Sequence, residues 1–197
     1  MNKFLILAVL GLNIPSAHAE WALGGYFGTM SFHEGKAAEE GIKDSALMLG
    51  AIAEYFSESL LMVSTGIAFI AYDDNEEFDQ DVEVVGGFDD GDIENADSSA
   101  TAAMLHVDMG PRFHMGESKS DYFAIKGGFS SFLTSERSIS NCSNCREEDI
   151  EIDGGGYIQT ALGIGSNSLG VAFRYSHYLD EEKGISNSLE AAVTGYF

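Results

Sequence analysis

The chain has 197 residues, enough for one domain, and its 32 acidic residues against 10 lysines and arginines give a formal net charge of −22. This charge argues against nucleic acid as a partner, because phosphate binding needs clustered cations, and the 11% aromatic content is too high for a disordered acidic chain. After residue 20 no apolar run reaches the roughly 18 residues of a membrane helix, which excludes a helical membrane protein but not a β-barrel, since barrel strands are half polar.

The first predicted element is an N-terminal export signal. Lys3 supplies a positive charge, an apolar run covers 4–12, and the Ala-His-Ala sequence at 17–19 has the form of a cleavage site. The sequence therefore predicts a signal peptide over 1–19 and an outer-membrane β-barrel domain over 20–197, with a buried N-terminal strand or helix as the alternative for the first segment. Export implies an oxidising compartment, in which cysteines can pair.

Eight segments of the mature chain then alternate apolar and polar residues with a period of two, which is the pattern of half-buried β-strands. In chain order the predicted strands cover 21–32, 46–56, 60–72, 100–114, 122–133, 156–164, 169–178 and 188–197. The charged residues within them fall on the face opposite the large apolar residues. Alternation does not say which face lies inside, so a soluble sandwich, a lipocalin-like barrel and a membrane barrel all fit.

The connections between the strands decide between these architectures. Long charged connections at 33–45, 73–99, 134–155 and 179–187 alternate with short ones at 57–59, 115–121 and 165–168. Outer-membrane barrels have this rhythm of long external loops and short periplasmic turns, and they end on aromatic residues that lie at the membrane interface. Here Tyr196 and Phe197 are such a C-terminal signal. The sequence therefore predicts an all-β, eight-stranded antiparallel up-and-down transmembrane β-barrel in the bacterial outer membrane.

The segment at 20–28, Glu-Trp-Ala-Leu-Gly-Gly-Tyr-Phe-Gly, with Phe-His-Glu at 32–34, resembles the first strand of the OmpA-type transmembrane barrels. The mature length and the plan of four loops are similar too, whereas the likeness in residues covers only the first strand. The resemblance implies a small porin-like outer-membrane barrel in contact with outer-membrane lipids and lipopolysaccharide. It also implies insertion by the barrel assembly machinery through the C-terminal strand. Because the chain stops at the eighth strand, the peptidoglycan-binding domain of full-length family members is not expected.

The first candidate site is a network of charges predicted to face the lumen. An eight-stranded barrel is narrow and filled by side chains, and an unpaired buried charge is costly, so these groups are expected to pair. The set comprises Glu54, His106, Asp108, Arg112, Lys126, Arg174 and Glu190. OmpA-type barrels carry a comparable network that is proposed to gate a small ion pathway. The alternative is that the network only packs the lumen.

Two loop motifs are further candidates. Cys142 and Cys145 cannot complete a tetrahedral zinc site alone, so a loop disulfide is predicted, with a redox or metal role as the alternative. Residues 73–97 hold twelve carboxylates and no cation, and their valines predict a hairpin turning at 86–87. A solvated acidic loop is the simpler interpretation, and binding of divalent cations or a surface ligand is the alternative. The weak metal candidates, which lack the spacing of an EF-hand, are Asp89, Asp90 and Asp92.

A catalytic function is the least favoured interpretation. The segment 175–179, Tyr-Ser-His-Tyr-Leu, superficially resembles the outer-wall region of the lipid A deacylases. That pattern needs a serine two residues after the histidine, but Leu179 stands there, and Ser176 is expected to face away from His177. We therefore predict a non-catalytic barrel without a cofactor, with an envelope-structural, surface-interaction or minor ion-passage role. An adhesin-like barrel that binds a ligand through its acidic loops is the alternative.

Overall fold

The computed structural model describes residues 20–57, 60–83, 93–118, 120–139 and 145–197. The predicted signal peptide, the metal candidates at 89–92 and Cys142 lie outside the described residues, so those predictions stay predictions. The elements in chain order are β1 (Glu20–Phe32), α1 (Glu34–Glu39), β2 (Ile42–Phe56), β3 (Leu61–Asp74), β4 (Asp79–Glu83), β5 (Ile93–Asp97), β6 (Ser99–His114), β7 (Tyr122–Ser138), β8 (Glu147–Asp149), β9 (Gly156–Gly165), β10 (Leu169–Tyr178), a 3-10 turn (Glu181–Lys183) and β11 (Ile185–Tyr196).

Eight of these strands form a closed antiparallel barrel. Their order is β6-β3-β2-β1-β11-β10-β9-β7, and β7 pairs back with β6. The seam between the first and the last strand places Gly25 opposite Val193. Closure pairs every barrel strand with two neighbours, as a membrane-spanning sheet requires. The predicted fold class, an up-and-down transmembrane β-barrel, is therefore confirmed.

The two faces of the wall carry the predicted residues. The outward face is a belt of large apolar side chains, among them Phe27, Leu47 and Phe69, each more than 60% exposed. The inward face carries Tyr26, Met48 and the predicted charged residues, all of which are buried. Lipid, not water, is the solvent that suits such a belt.

The upper limit of the apolar belt is marked by an outward ion pair. Lys43 on β2 and Asp73 on β3 are half exposed, and the Lys43 Nζ lies 2.7 Å from an Asp73 carboxylate oxygen. Charged side chains on the outer face do not belong in the hydrocarbon layer. The parts of β2, β3 and β7 at and beyond this level therefore stand outside the membrane.

Beyond this level the strands are longer than predicted. β2 begins at Ile42, and β3 ends at Asp74. β7 runs to Ser138, not to residue 133. Apart from Ile42, the added residues at 42–45, 73–74 and 134–138 are all polar, so the alternation of apolar and polar residues that predicts a strand is lost there. A bulge contributes in β7: Met104 pairs with Phe132 and Ala103 with Thr134, which leaves Leu133 as the extra residue.

The loops contain structure of their own. β4 and β5 pair antiparallel in the second loop, with Asp79 opposite Asp97, as the predicted hairpin requires, whereas its predicted turn at 86–87 lies outside the described residues. The short helix α1 was not predicted, because six residues make fewer than two turns and show no periodicity. None of the described helices has the length and apolarity needed to cross a bilayer.

Candidate functional site

The first group of lumen charges is centred on Arg174. Its Nη2 donates a hydrogen bond of 2.6 Å to Glu54 Oε1, and both side chains are 0% exposed. Glu190 lies on the other side, with Oε2 at 3.8 Å from Arg174 Nη1, and it accepts a hydrogen bond of 3.1 Å from Ser188. The register explains this arrangement, because Arg174 and Glu190 are direct cross-strand partners on β10 and β11.

The second group is centred on Asp108. The Lys126 ammonium lies 2.7 Å from Asp108 Oδ1 and donates a hydrogen bond of 3.0 Å to Ser64 Oγ. Tyr157 donates its hydroxyl to Asp108 Oδ2 at 3.0 Å. Close packing depends on Gly128 opposite Asp108, since a Cβ at that position would lie 2.5 Å from the Tyr157 ring and 2.7 Å from Asp108 Cβ. The carboxylate is therefore held from two sides.

The remaining predicted lumen residues lie outside these two ion-pair groups. His106 stands edge-on to Tyr26, with Nδ1 at 3.4 Å from the Tyr26 hydroxyl. Arg112 stacks on Phe56, with its guanidinium carbon 4.2 Å from the ring centroid. Tyr196 also stacks on Phe56, with the two ring centroids 5.5 Å apart. The predicted single network is thus two ion-pair groups plus an aromatic–arginine layer near the short-turn end.

Phe197 behaves differently from its neighbour Tyr196. It is 79% exposed, and its backbone N–H donates a hydrogen bond of 2.8 Å to the carbonyl of Trp21. The final backbone group is thereby tied to the first strand. The role of these two residues as a C-terminal signal stays a prediction.

The predicted geometry around the deacylase-like segment is observed. Ser176 is buried in the lumen, where its Oγ accepts a hydrogen bond of 3.0 Å from Gln159 Nε2. His177 is exposed on the outer face, as is Leu179. A serine and a histidine on opposite faces of the wall cannot exchange a proton directly.

A second charged cluster, which the sequence did not predict, stands above the membrane at Arg137. Because the bulge at Leu133 shifts the alternation of β7, Arg137 points inward, and its side chain is 4% exposed. Its Nε and Nη2 each donate a hydrogen bond of 2.7 Å to the carboxylate of Asp74. It also reaches the backbone carbonyl of Glu40 at 3.1 Å and the carboxylate of Glu148 at 3.3 Å. One guanidinium thus joins the ends of the first, second and third long loops.

The electrostatics of Asp74 follow from this contact. Burial disfavours the charged carboxylate, but the hydrogen bonds from Arg137 outweigh burial and hold the pKa of Asp74 below its usual range. The bidentate geometry is the strong form of an arginine–carboxylate pair. Asp74 is therefore ionised throughout the neutral range and holds Arg137 in place.

Glu40 connects this cluster to α1 and to the third loop. Its Oε1 accepts a hydrogen bond of 2.8 Å from Lys36, and its Oε2 accepts one of 2.6 Å from the backbone N–H of Glu151. The hydrogen bond to Glu40 raises the pKa of Lys36. We call the surface that Arg137, Asp74, Glu40, Lys36 and Glu148 hold together the loop platform.

The fourth loop joins the same platform through its backbone. Asp153 forms a β-bridge with Gly184, and its N–H donates to the carbonyl of Lys183 at 3.1 Å. The N–H of His33, next to α1, donates to the carbonyl of Gly184 at 2.8 Å. Gly184 has a φ of +96°, a conformation in which glycine avoids the strain of a side chain. The first, third and fourth loops are therefore fixed to one another.

A cavity of about 560 Å³ opens between these loops. It is lined by 132–135 of β7, by 149–153 of the third loop and by residues of the fourth loop. Among the described residues no group of three or more histidine, cysteine or acidic side chains is arranged to hold a metal ion. Charged side chains of the third and fourth loops are among the residues that line the cavity.

Sequence reasoning missed every residue of the platform. Arg137 fell in a predicted loop, and Asp74 was one of twelve carboxylates in the second loop. The run 134–138 is wholly polar, so no alternation in the sequence signalled that β7 continues through it.

No family model and no curated protein sequence matches the chain. Among solved structures it is similar to Ail, the attachment invasion locus protein of Yersinia pestis, in complex with the heparin analogue sucrose octasulfate. The TM-score is 0.47 and the identity 12%, over 91% of this chain and 98% of Ail. An acetoacetate decarboxylase-like enzyme from Sphingomonas wittichii RW1 gives a TM-score of 0.22 at 6% identity, over 90% of this chain and 89% of the other. Neither likeness bears on function.

The architecture itself is plain from the described strands. Eight antiparallel strands close into a barrel, the outer face is apolar, and the lumen is filled by paired charges and aromatic rings. These are the features that the resemblance of the first strand implied. The chain has the architecture of the small OmpA-type eight-stranded transmembrane barrels.

Proposed function

We propose that this chain is a non-catalytic integral protein of the bacterial outer membrane that acts in surface interaction through its loop platform. The observation that carries the proposal is the Arg137 cluster, in which one buried guanidinium joins three long loops at distances of 2.7 to 3.3 Å. Loops that only connect strands do not need a buried ion pair to fix their relative positions. A surface that is held in one arrangement before a ligand arrives loses less entropy on binding.

The packing of the lumen argues against the alternative function, passage of ions through the barrel. The ion pairs of Arg174 with Glu54 and of Lys126 with Asp108 are fully buried, and the Phe56–Arg112 layer lies closer to the short-turn end. Opening a passage would require buried pairs to separate, at a cost of several kcal/mol for each ion left alone. Passage of ions is therefore the weaker proposal for this barrel. In the proposed function, outer-membrane lipids and lipopolysaccharide contact only the outer wall.

The charge of the chain defines the kind of surface it would bind. With a formal net charge of −22 and long loops rich in carboxylates, the extracellular side attracts cationic partners and repels anionic ones. A basic ligand is accordingly the expected class.

The proposal is tested with the barrel reconstituted in nanodiscs of zwitterionic lipid and with amine-coated beads. We expect wild-type nanodiscs to bind the beads in a salt-sensitive way and Arg137→Met to bind several-fold less. The matched control is Lys43→Met, which removes one positive charge from an exposed pair outside the platform. Since both substitutions make the protein more acidic, charge alone predicts stronger binding for both. Unchanged or stronger binding of Arg137→Met would refute a role for the ordered platform.

A further inference from the structure

The β4–β5 hairpin of the second loop has an unpaired edge. Its two strands form a sheet of their own, separate from the barrel wall. Asp79 is opposite Asp97, and next to this pair the N–H of Ser98 donates to the carbonyl of Phe78 at 2.9 Å. In an antiparallel ladder, hydrogen-bonded pairs alternate with pairs whose backbone groups point away from the partner strand. Every second residue of β5, counted back from Asp97, therefore points its N–H and C=O away from β4.

The residues with these outward backbone groups are Ile93, Asn95 and Asp97. Among the described residues, no strand pairs with β5 on the side away from β4, and no backbone hydrogen bond reaches these three residues from that side. All three are exposed, and Ile93 reaches 76%. A strand that is paired along one side and open along the other is a template for a further strand.

The exposed face of the hairpin defines the charge of a strand that can pair with it. Asp79 and Asp97 face each other in a pair without ladder hydrogen bonds, the type in which side chains come closest. The Asn95 amide donates to Asp79 at 3.4 Å and to Asp81 at 3.3 Å. Within the described chain, no lysine or arginine forms an ion pair with these three carboxylates. Because like charges directly opposite each other are destabilising, a cation supplied by a partner strand stabilises this face.

The same face disfavours a second copy of this chain as the added strand. Pairing β5 with another β5 would bring further aspartates to a face that is already acidic. A basic segment has the complementary charge. At the other end of β5, the exposed side chain of Ile93 offers an apolar contact beyond the membrane level marked by Asp73.

We propose that the outer edge of β5 binds an extended basic segment of a partner protein by strand addition. Lysine or arginine side chains of the segment would lie opposite Asn95 and Asp97, and an apolar side chain would lie opposite Ile93. The inference deepens the proposed function and rests on it, since it requires the loops to be the binding surface and the partner to be basic. The hairpin is connected to the loop platform through Asp74, the last residue of β3, which Arg137 holds.

The first test uses the full barrel in nanodiscs and a labelled heptapeptide with blocked ends, Thr-Lys-Thr-Lys-Thr-Val-Thr. Paired antiparallel with β5, this peptide places its lysines opposite Asp97 and Asn95 and its valine opposite Ile93. N-methylation of the second, fourth and sixth amides, which would face β5, is expected to lower binding by roughly tenfold or more. N-methylation of the third and fifth amides, which would face away from β5, keeps the charge and is expected to have little effect. Equal losses for the two methylated peptides would overturn strand addition.

Substitutions at Asn95 test the edge from the side of the protein. The N–H of Asn95 points away from β4, so Asn95→Pro removes a donor from the edge and leaves the ladder of the hairpin in place. Asn95→Val loses the same side-chain amide but keeps the N–H. We expect Asn95→Pro to bind the peptide roughly tenfold more weakly than Asn95→Val does. Equal binding by the two variants would overturn the assignment to β5.

Charge variants test the acidic face independently of the backbone. Asp81→Asn with Asp97→Asn removes two carboxylates of the hairpin and is expected to weaken binding of the peptide several-fold. Asp180→Asn with Glu182→Gln removes the same charge from exposed positions of the fourth loop and is expected to have little effect. Equal effects of the two double variants would overturn the site.

Two further outcomes separate this inference from its alternatives. Association of two barrels in detergent that Asn95→Pro abolishes would assign the edge to a second copy and overturn the proposal. If no peptide binds but amine-coated beads still require Arg137, only this inference fails; if the beads fail as well, the proposed function fails with it.

Discussion

The lumen and the loop platform both contain a buried arginine that holds a carboxylate, but one pair connects barrel strands and the other connects loops. Arg174 and Glu54 are 0% exposed and lie among strands that already share a hydrogen-bonded wall. Arg137 and Asp74, with exposures of 4% and 2%, lie where the wall ends and hold loops that share far fewer backbone bonds. The buried ion pair therefore fills space in the lumen, whereas in the loop platform it fixes the relative positions of the loops.

Removing Arg174 should produce the largest loss of stability. Arg174→Met leaves Glu54 buried without its cation, which typically costs about 3–5 kcal/mol in the free energy of unfolding. The free energy of unfolding is measured by urea unfolding in lipid vesicles, with heat-modifiable gel mobility as the readout. The double variant Arg174→Met, Glu54→Gln is the control and should recover part of the loss. A single variant as stable as the wild type would show that the pair does not hold the lumen.

Lys126→Met should cost less, about 3 kcal/mol, because Tyr157 still donates a hydrogen bond to Asp108 after the ammonium is lost. The same unfolding measurement applies. Asp108→Asn in the Lys126→Met background should restore stability, since it removes the orphaned charge. A loss that the second substitution does not reduce would contradict the assignment of Lys126 to Asp108.

Arg137→Met should distinguish the two regions, because its effect is expected in the loops and not in the barrel. Global unfolding should change by about 1 kcal/mol or less, whereas amide protection at Gly41, Ile150 and Glu151 should fall by roughly tenfold, the size of one lost network of hydrogen bonds. Hydrogen exchange with mass spectrometry separates the two effects. Equal loss of protection in the barrel strands would show that the platform is not a separate unit.

The pH dependence of the platform should be small in the neutral range. Because the pKa of Asp74 is lowered in the folded protein, its stabilisation is complete above the unfolded pKa of about 3.9 and is lost as pH falls through the lower folded value. Protection of the loops is therefore expected to be constant from pH 8 to 5 and to fall only below about pH 4. In Arg137→Met this transition should disappear. A transition near neutral pH in the wild type would contradict the assignment.

The smallest effect is expected for Lys36→Met. Its amine pairs with Glu39 and Glu40 on a partly exposed face, and such pairs contribute about 0.5 kcal/mol. Loop protection should change by no more than a few-fold. A loss of loop protection as large as that of Arg137→Met would show that α1, and not Arg137, holds the platform together.

The contrast between the two regions also explains what the sequence could predict. Glu54, Asp108, Lys126 and Arg174 were assigned to the lumen because a strand alternates strictly, so one lipid-facing neighbour fixes the direction of the next side chain. Their division into two groups was not predictable, since pairing depends on the stagger of strands around the barrel.

The platform escaped prediction for local reasons. The bulge at Leu133 moves Arg137 to the inner face, and no residue type marks such an insertion in a single sequence. Asp73 and Asp74 are neighbours of the same type, yet one forms an exposed pair with Lys43 and the other the buried pair with Arg137. Only the register of three strands distinguishes them.

The central claim is that the lumen is closed and that the loops carry the function. Single-channel recording of the purified barrel in planar bilayers tests it most directly, with Lys126→Ala beside the wild type. We predict no conductance steps for the wild type, because the ion pairs of Arg174 and Lys126 are fully buried. Steps in the wild type that change in size or frequency with Lys126→Ala would contradict the account and assign the function to the lumen.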